Sequence, residues 1–521
     1  MARPMDPRAL MPEGTEVSYR AQEVRLSERA EVATRDEARA PQARKPLRPK
    51  KERLPVAEEV DSAQLRNPVE PLLPGRVVTR VLEGPPALAP MSPPPAITFD
   101  GVVDNDTSIP PDTAGAVGLQ HVFNPLNNRI QVFNRAGASL LDLSLDEFWR
   151  VLGPVSTFDP RVVYDPFRDR FVFVSMANAA RSDSALLIAV SETGDPTGNW
   201  FSILVPVDPG QQGDVWLDYP TLGFSADKVT VQVNLFTLAG NLFAGSSVYV
   251  WDKDQLFESP STADVRLFML EDQGGTHVPA VTYDSNQADQ FLVSRWSSNA
   301  EGNGVYAVYA LTGGVSSGTV VLDRIGFVQT SGVTWSSFSP SGDFAPQRGT
   351  ARRIDAGDDR ILSAVFREGS LWFSHTVYLL AEGPDRTAAQ WLEVETQSWQ
   401  IRQLGRVDDP TGQEFYAFPT IAVNVDGHAL IGMSRFAADQ FAAAVYVLRE
   451  PGDGPGQMRP AFVYAPGLSS YFKTFGGSDN RWGDYSATQV DPVNDRDFWT
   501  IQEYASEQTN VWATRWAQVL V

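Results

Sequence analysis

Short apolar runs alternate with polar turns from about residue 100 to the end of the chain. One arrangement recurs: an apolar strand end, a turn rich in Asp, Pro, Asn or Gly, and then a second apolar run. The clearest copies begin at Tyr164, Tyr283 and Val490. Turn residues between two runs of this kind predict a β-hairpin. Because helix-like stretches are few in this region, the pattern predicts an all-β protein.

Weaker copies of the hairpin fill the intervals and bring the number of units to seven. Their markers are Gly118, Asp165, Ser225, Asp284, Asp355, Asn424 and Asp491. A unit of roughly 50–70 residues built from short strands has the size of one four-stranded propeller blade with long loops. We therefore predict a seven-bladed β-propeller over residues 96–521. Since an open ring would leave an unpaired edge, a strand at Ile97 to Asp100 or at Val77 to Leu82 should complete the last blade.

Residues 1–95 have a different composition. They are rich in Pro, Arg and Glu and contain a single aromatic residue, Tyr19. Such a segment buries too little apolar surface to offset the entropy of ordering, so we predict a mostly disordered N-terminal extension. Glu13 to Ala40 lack proline and favour a helix within it. Residues 1–60 are the part that would dock onto an assembly partner.

Charge and composition exclude several classes of protein. The 521 residues carry a net charge of −21, whereas residues 1–60 are nearly neutral, with 13 Lys+Arg and 11 Asp+Glu. The acidity therefore belongs to the predicted propeller, which argues against nucleic acid as a partner. No uncharged apolar run reaches the roughly 18 residues of a membrane span. The chain has no Cys, which excludes disulfides and thiolate metal sites.

Three landmarks carry a resemblance to a known family. They are PPDTAGAVG at residues 110–118, DYP at residues 218–220 and RWGDYS at residues 481–486. With these landmarks the chain resembles a family of bacterial exported or surface-associated β-propeller proteins whose activity is unassigned. The resemblance implies a propeller in an extracellular or cell-surface setting, and it supplies no catalytic residues. Met1 is followed by no apolar segment typical of a signal peptide, so a cytoplasmic location stays open.

Polar residues stand just before the first strand of each unit, where a propeller directs its strands at the central channel. These candidate ligand-binding residues at the channel mouth are Asp112, Asp159, Arg161, Asp218, His277, Arg353, Arg481, Asp484 and Tyr485. Two interpretations are open. The charges form a self-satisfied ring that holds the blades in register, or they form a ligand or ion site.

A loop before the first blade is rich in carboxylates. Asp104, Asp106 and Asp112 offer the oxygen ligands that hard cations such as calcium prefer. The loop lacks the glycine and the terminal glutamate of an EF-hand, and an Asp- and Asn-rich turn explains the same residues. Calcium is the one cofactor that the sequence suggests.

Most enzyme signatures are missing. The chain has no HExxH pair, no GxSxG elbow and no P-loop. A carboxylate pair such as Asp218 and Asp484 could serve a glycosidase. Arginines 161, 353 and 481 with Tyr485 could serve a sialidase-like site.

The sequence therefore favours a non-catalytic binding or scaffolding propeller at the cell surface or outside the cell, with a protein or glycan ligand. One alternative is a sialidase-like, glycan-active hydrolase. The other is a structural component of a larger assembly, docked through its N-terminal extension.

Overall fold

The computed structural model describes residues 15–16, 19–26, 90–207, 214–270, 275–337 and 343–521. Their strands pair into seven units of four antiparallel strands each, which we number 1 to 7 along the chain. Residues within or just before the first strand of each unit line a central channel. The predicted all-β propeller is therefore confirmed.

The first three units follow one another along the chain. Unit 1 contains Ala116–Val117, His121–Pro125, Arg129–Asn134 and Ser139–Ser144. Unit 2 contains Thr157–Asp165, Arg170–Ala177, Ala185–Ser191 and Asn199–Pro206. Unit 3 contains Val215–Phe224, Lys228–Thr237, Phe243–Asp252 and Val265–Leu270.

The remaining units complete the ring. Unit 4 contains Val278–Pro279, Gln290–Ala300, Asn303–Thr312 and Val321–Gln329. Unit 5 contains Ile361–Arg367, Ser370–Leu379, Arg386–Glu395 and Gln400–Val407. Unit 6 contains Glu414–Val423, Ala429–Ala437, Gln440–Arg449 and Phe462–Ala465. Unit 7 contains Ala487–Val490, Phe498–Ala505, Trp512–Val519 and, as its outer strand, Ile97–Val103.

Short elements connect the units. They are the helices Leu145–Trp149 and Lys253–Glu258, the 3₁₀ turns Arg150–Leu152 and Pro260–Thr262, and the small strands Val281–Thr282, Asp343–Ala345 and Ile354–Asp355. Each helix begins at a side-chain cap, because Ser144 and Asp252 accept hydrogen bonds from backbone amides of the first turn. No helix in the described ranges is long and apolar enough to span a membrane.

Much of the hydrophobic core lies between neighbouring units, and a further cluster with Tyr219, Phe418 and Tyr485 joins several units. One cluster joins units 2 and 3 around Trp216, and another joins units 5 and 6, where Trp372 and Trp391 stack 5.9 Å apart. A middle strand is therefore covered on both faces. All seven residues of Ala185–Ser191 are buried. This double burial explains why the sequence shows continuous apolar runs there instead of strict alternation.

The N-terminal side of the chain closes the ring. Ile97–Val103 pairs antiparallel with Trp512–Val519, and Asp100 lies opposite Arg515. The Arg515 guanidinium donates to the Asp100 carboxylate at 2.6 and 2.9 Å. The first of the two predicted closing strands is thus confirmed, and the alternative at Val77 to Leu82 lies outside the described residues.

Part of the predicted extension also pairs with the propeller. Arg20–Arg25 is a fifth strand on unit 2, and Thr15–Glu16 pairs with the outer strand of unit 3. The helix expected over Glu13 to Ala40 is therefore wrong for these residues. Isolated helices of this length are marginal in water, whereas an open sheet edge offers backbone partners at once.

One of the seven hairpin markers is also wrong. Asp355 precedes the inner strand of unit 5, while the turn to the second strand is Glu368-Gly369. Both residues of this two-residue turn have positive φ, 47° and 75°. Such a tight turn needs no cluster of Asp or Pro, so a pattern based on such clusters does not predict it.

Removing residues 1–103 should destabilise the propeller much more than removing residues 1–89. Both variants lack the docked segment, so their difference reports on residues 90–103, which comprise the closing strand and the short stretch before it with the buried Ser92. That strand carries the fully buried Val102, whose burial alone is worth about 1.5–3 kcal/mol. Urea unfolding of the two variants measures the difference. Equal free energies of unfolding would show that closure contributes nothing.

Candidate functional site

The entry to the inner strands has an unusual backbone conformation that recurs around the ring. One residue at the entry of each of units 1 to 6 has a φ between 50° and 73°; these residues are Asp112, Asp159, Tyr219, Thr276, Gly357 and Phe418. Three of them precede proline, and there the strand register shifts as in a β-bulge. Bulges re-aim side chains and are common next to functional sites. We call this end of the channel the channel mouth.

Only glycine fits the entry position of unit 5. Gly357 has a φ of 73°, and a Cβ atom there would lie 2.7 Å from the Phe418 ring. A side chain would therefore meet both backbone strain and a clash.

The channel is narrow. It encloses about 110 Å³ and is lined by a segment from each of the seven units. Val281, next to the inner strand of unit 4, pairs in parallel with Phe224 of unit 3 and Val365 of unit 5, which brings these inner strands together. Arg161 lines the cavity, as do hydroxyl groups of Ser363, Thr420 and Ser486. The channel therefore has room for a small polar group rather than for a whole sugar.

Two of the predicted carboxylates hold neighbouring units together. Asp112 accepts hydrogen bonds from the Asn127 amide at 2.5 Å and from the backbone N–H of Asp484 at 2.9 Å. Asp159 accepts from the backbone N–H of Tyr219 at 3.1 Å. Both carboxylates are fully buried. Their recorded contacts join unit 1 to unit 7 and unit 2 to unit 3, which supports the register-holding interpretation for this pair.

Arg161 is bound differently. Its Nε donates to the carbonyl oxygen of Pro220 at 3.1 Å, and its guanidinium lies 3.3 Å from the centroid of the Tyr485 ring and 5.4 Å from that of Tyr219. These partners are a neutral carbonyl and two neutral rings. Among the described residues its Nη2 is buried and has no hydrogen-bond acceptor. A buried donor of this kind costs free energy until an acceptor arrives.

Two more arginines stand on the rim of the mouth. Arg360 forms a two-bonded pair with Asp358, with Nε 2.7 Å from Oδ1, and lies 4.1 Å from the centroid of the Tyr219 ring. Arg481 donates to Asp484 at 2.7 Å, and its Nε lies 3.9 Å from Asp355. The Arg481 side chain is 22% exposed, so solvent reaches this part of the site.

The rim carboxylates have opposite pKa shifts. Burial raises the pKa of Asp355, and the charge of Arg481 only partly opposes the effect. Burial acts in the same sense on Asp358, but the adjacent Arg360 outweighs it, so that the pKa of Asp358 is lowered. Environments that separate two carboxyl pKa values in this way are typical of acid and base pairs.

A further carboxyl lies beneath the rim. Glu503, on the second strand of unit 7, accepts a hydrogen bond from the Gly483 N–H at 2.8 Å. Its other oxygen is buried without a partner among the described residues. Burial and the nearby charges of Asp112, Asp104 and Asp484 raise the pKa of Glu503 well above its ordinary value. These surroundings favour the neutral form of the Glu503 side chain.

The other predicted mouth residues have different surroundings. Asp218 is fully buried at the bulge of unit 3. His277 is fully buried against the Tyr309 ring, 4.9 Å between centroids. Arg353 is exposed and donates to the Phe344 carbonyl. It does not directly precede the inner strand, because the unit 5 marker was misplaced; Arg360 holds that position.

The three predicted metal ligands do not converge. Asp104 and Asp106 both form ion pairs with the ammonium group of Lys473, whereas Asp112 faces Asn127 and Asp484. In the part of the chain that the structure describes, no group of three or more His, Asp or Glu side chains could hold a metal ion. Calcium at Asp104, Asp106 and Asp112 stays a sequence prediction.

Sequence reasoning missed Asp355, Asp358, Arg360 and Glu503. A usable signal exists for the mouth itself, since a large or acidic residue followed by proline recurs as Asp159-Pro160, Tyr219-Pro220 and Phe418-Pro419. Unit 5 has Gly357-Asp358 in place of this dipeptide. Glu503 gives no such signal in the sequence, because its position beneath the rim depends on its hydrogen bond to Gly483, in the loop before unit 7.

Comparisons with known proteins are distant. No family model and no curated protein matches the chain. Among solved structures, a Trypanosoma rangeli sialidase has a TM-score of 0.35 at 8% identity and covers 79% of this chain, which spans 59% of the sialidase. The Dos1 propeller has a TM-score of 0.34 at 9% identity, with 76% and 74% covered. An endosialidase of phage phi92 has a TM-score of 0.33 at 8% identity, with 67% and 65% covered. We take no residue role from these structures.

The variant Glu503→Gln should remove a pH dependence of stability. A carboxyl whose pKa is raised by folding destabilises the native state as the pH rises above its unfolded value of about 4.3, by up to ~1.4 kcal/mol per pH unit. Glutamine cannot ionise, so the variant should gain stability relative to the unmodified protein from pH 5 to pH 8. Urea unfolding across this pH range measures the difference in the free energy of unfolding, with the exposed Glu507→Gln as control. Parallel pH profiles would contradict the neutral state of Glu503.

Proposed function

We propose that the protein is a binding module whose channel mouth holds a ligand with a carboxylate group, such as an acidic glycan. The observation that carries the proposal is the Arg161 guanidinium, whose buried Nη2 has no acceptor among the described residues. Arginine is suited to carboxylates because its parallel N–H donors match the two oxygens. The pairing is stronger where water is partly excluded, and the Nη2 atom is buried although the Arg161 side chain as a whole is only partly buried.

The surroundings of Arg161 support an acidic ligand over a neutral one. Tyr485 and Tyr219 hold the guanidinium through their ring faces and carry no formal charge to compete with a carboxylate. Asp159, two residues before Arg161 in the sequence, accepts a hydrogen bond from the backbone N–H of Tyr219, and Asp112 of the neighbouring unit accepts one from the backbone N–H of Asp484. The positive charge of Arg161 is therefore available to a ligand.

The size of the cavity limits what enters it. A space of about 110 Å³ accepts a carboxylate and a few water molecules, given roughly 30 Å³ for each water. The rest of the ligand would lie on the rim, where Arg360, Arg481 and Asp484 are partly exposed and suited to hydroxyl groups. A protein side chain that ends in a carboxylate could use the same site.

Oligosaccharides that end in sialic or glucuronic acid should bind, and their methyl esters should not. The variant Arg161→Met should weaken binding of the acids by at least ~10-fold, since a hydrogen bond to a charged group is worth about 1.5–3 kcal/mol. Calorimetric titration measures the affinities. The exposed Arg181→Met, in the same unit, is the matched control. Equal affinity for acid and ester, or full binding by Arg161→Met, would contradict the proposal.

A glycan-active hydrolase is the second candidate. The opposite pKa shifts of Asp355 and Asp358 favour it, together with the contact of Arg481 with both Asp355 and Asp484. Asp355 would act as the general acid and Asp484 as the second carboxylate. Asp355 is a better partner for Asp484 than the predicted Asp218, because Asp355 is 23% exposed and Asp218 is fully buried.

If the mouth is catalytic, fluorogenic acidic glycosides should be hydrolysed, and Asp484→Asn should lower the rate by about 100-fold or more. The exposed Asp426→Asn is the control and should retain full activity. Ligand that binds without any turnover would eliminate the hydrolase and leave the binding module.

The setting of this function follows from the sequence. A place at the cell surface or outside the cell is what the family resemblance implies, with a glycan or protein as the ligand. The assembly alternative, in which the N-terminal extension docks, concerns a different face of the molecule.

A further inference from the structure

The outer rims of units 2 and 3 carry an extra segment of the chain. Residues 20–25 pair antiparallel with Asn199–Leu204, the outer strand of unit 2, over six consecutive positions. Thr15 and Glu16 pair with Leu267 and Arg266 of unit 3. No other unit has a fifth strand within the described ranges. These two edges therefore bind an extended peptide by β-strand addition.

Two side chains anchor the segment. The Tyr19 hydroxyl donates to the carbonyl oxygens of Ala263 at 2.8 Å and Pro260 at 3.1 Å. Leu26 is fully buried in the cluster that contains Trp149 and Trp200. Backbone pairing supplies affinity and anchors of this kind supply specificity. All of these determinants lie within residues 15–26.

The ring does not depend on this segment for closure. Ile97–Val103 completes unit 7, so the propeller retains seven four-stranded units when residues 15–26 leave. Loss of the segment would expose the backbone of the unit 2 outer strand, and unpaired edges of this type attract another strand.

The tether between the segment and the propeller is long. Sixty-three residues separate Leu26 from Pro90. The advantage of docking within one chain falls steeply with tether length, because the local concentration of the tethered segment falls. An identical segment from a second copy offers the same contacts. Exchange between copies therefore forms a dimer with little loss of free energy.

We propose that the outer edges of units 2 and 3 are a strand-docking surface and that two copies of the protein dimerise by exchanging residues 15–26. The segment of each copy pairs with Asn199–Leu204 of the other and inserts its Leu26 between units 1 and 2. The partner of the N-terminal extension is then a second copy of this chain, and this face is separate from the channel mouth.

Engineered cysteines test the exchange cleanly, because the chain has no cysteine of its own. Glu23 lies directly opposite Phe201 in the register. Opposite residues of antiparallel strands have Cβ atoms about 4.5–5.5 Å apart, within reach of a disulfide with small adjustment. One full-length variant carries Glu23→Cys and the other carries Phe201→Cys. They are mixed at roughly millimolar concentration, where a second copy competes with a tethered segment, and are then oxidised.

We expect a shift of the mixture from monomer to disulfide-linked dimer that contains one copy of each variant. Phe201→Cys mixed with Glu507→Cys, an exposed site in a loop of unit 7, should give no such shift. Adding Leu26→Asp to the Glu23→Cys copy should abolish the dimer, because it removes the anchor while leaving the receiving propeller intact.

The double variant Glu23→Cys/Phe201→Cys shows whether the segment docks on its own chain. A disulfide within this single chain, with no dimer from the mixture, would overturn the exchange. No disulfide in either sample would overturn the docking surface itself. A dimer that persists with Leu26→Asp would overturn the anchor role of Leu26 and with it the specificity of the surface.

Discussion

The antiparallel pairing of Ile97–Val103 with Trp512–Val519 is the contact on which the rest of the molecule depends. A propeller buries its apolar faces between neighbouring units, so each unit needs a partner on both sides. This pairing completes unit 7 and places it against unit 1, where Trp499 and Trp516 pack with Val117 and Val122. Without it the ring has two unsatisfied ends.

Closure also determines what the channel mouth can do. It brings the loop that contains Asp112 from the outer edge of unit 7 to the axis, where the carboxylate accepts the Asp484 amide. Residues other than glycine cost about 1–3 kcal/mol each in the left-handed conformation, and five of the six entries around the mouth are such residues. Contacts with the rest of the closed ring hold the backbone in these conformations. Carboxylates bind the units to one another, while Arg161 keeps a donor for a ligand.

Sequence reasoning placed candidate residues before the inner strands of units 1, 2, 3 and 7 but missed that position in unit 5. Asp159, Arg161 and Asp218 directly flank a recognisable proline bulge, so their place in the fold followed from their place in the chain. In unit 5 the turn with two positive φ values at Glu368-Gly369 has no distinctive composition. The hairpin of this unit was therefore predicted too early in the sequence. The sequence thus predicts Arg353 at the position before the inner strand that Arg360 occupies. The ion pairs of Asp104 and Asp106 with Lys473 were equally hidden, because these partners lie at opposite ends of the propeller sequence.

The sequence by itself determined the fold class, indicated seven repeats and limited the closing strand to two candidates, because turn chemistry and strand periodicity are local properties. Only the tertiary structure decided which charged side chains bond neighbouring units to one another and which can bind a ligand. Those outcomes depend on burial and on partners from distant units, as the raised pKa of Glu503 shows. The N-terminal segment is the sharpest case. Its composition permits a helix, yet the open edges of units 2 and 3 supply backbone partners that make it a strand.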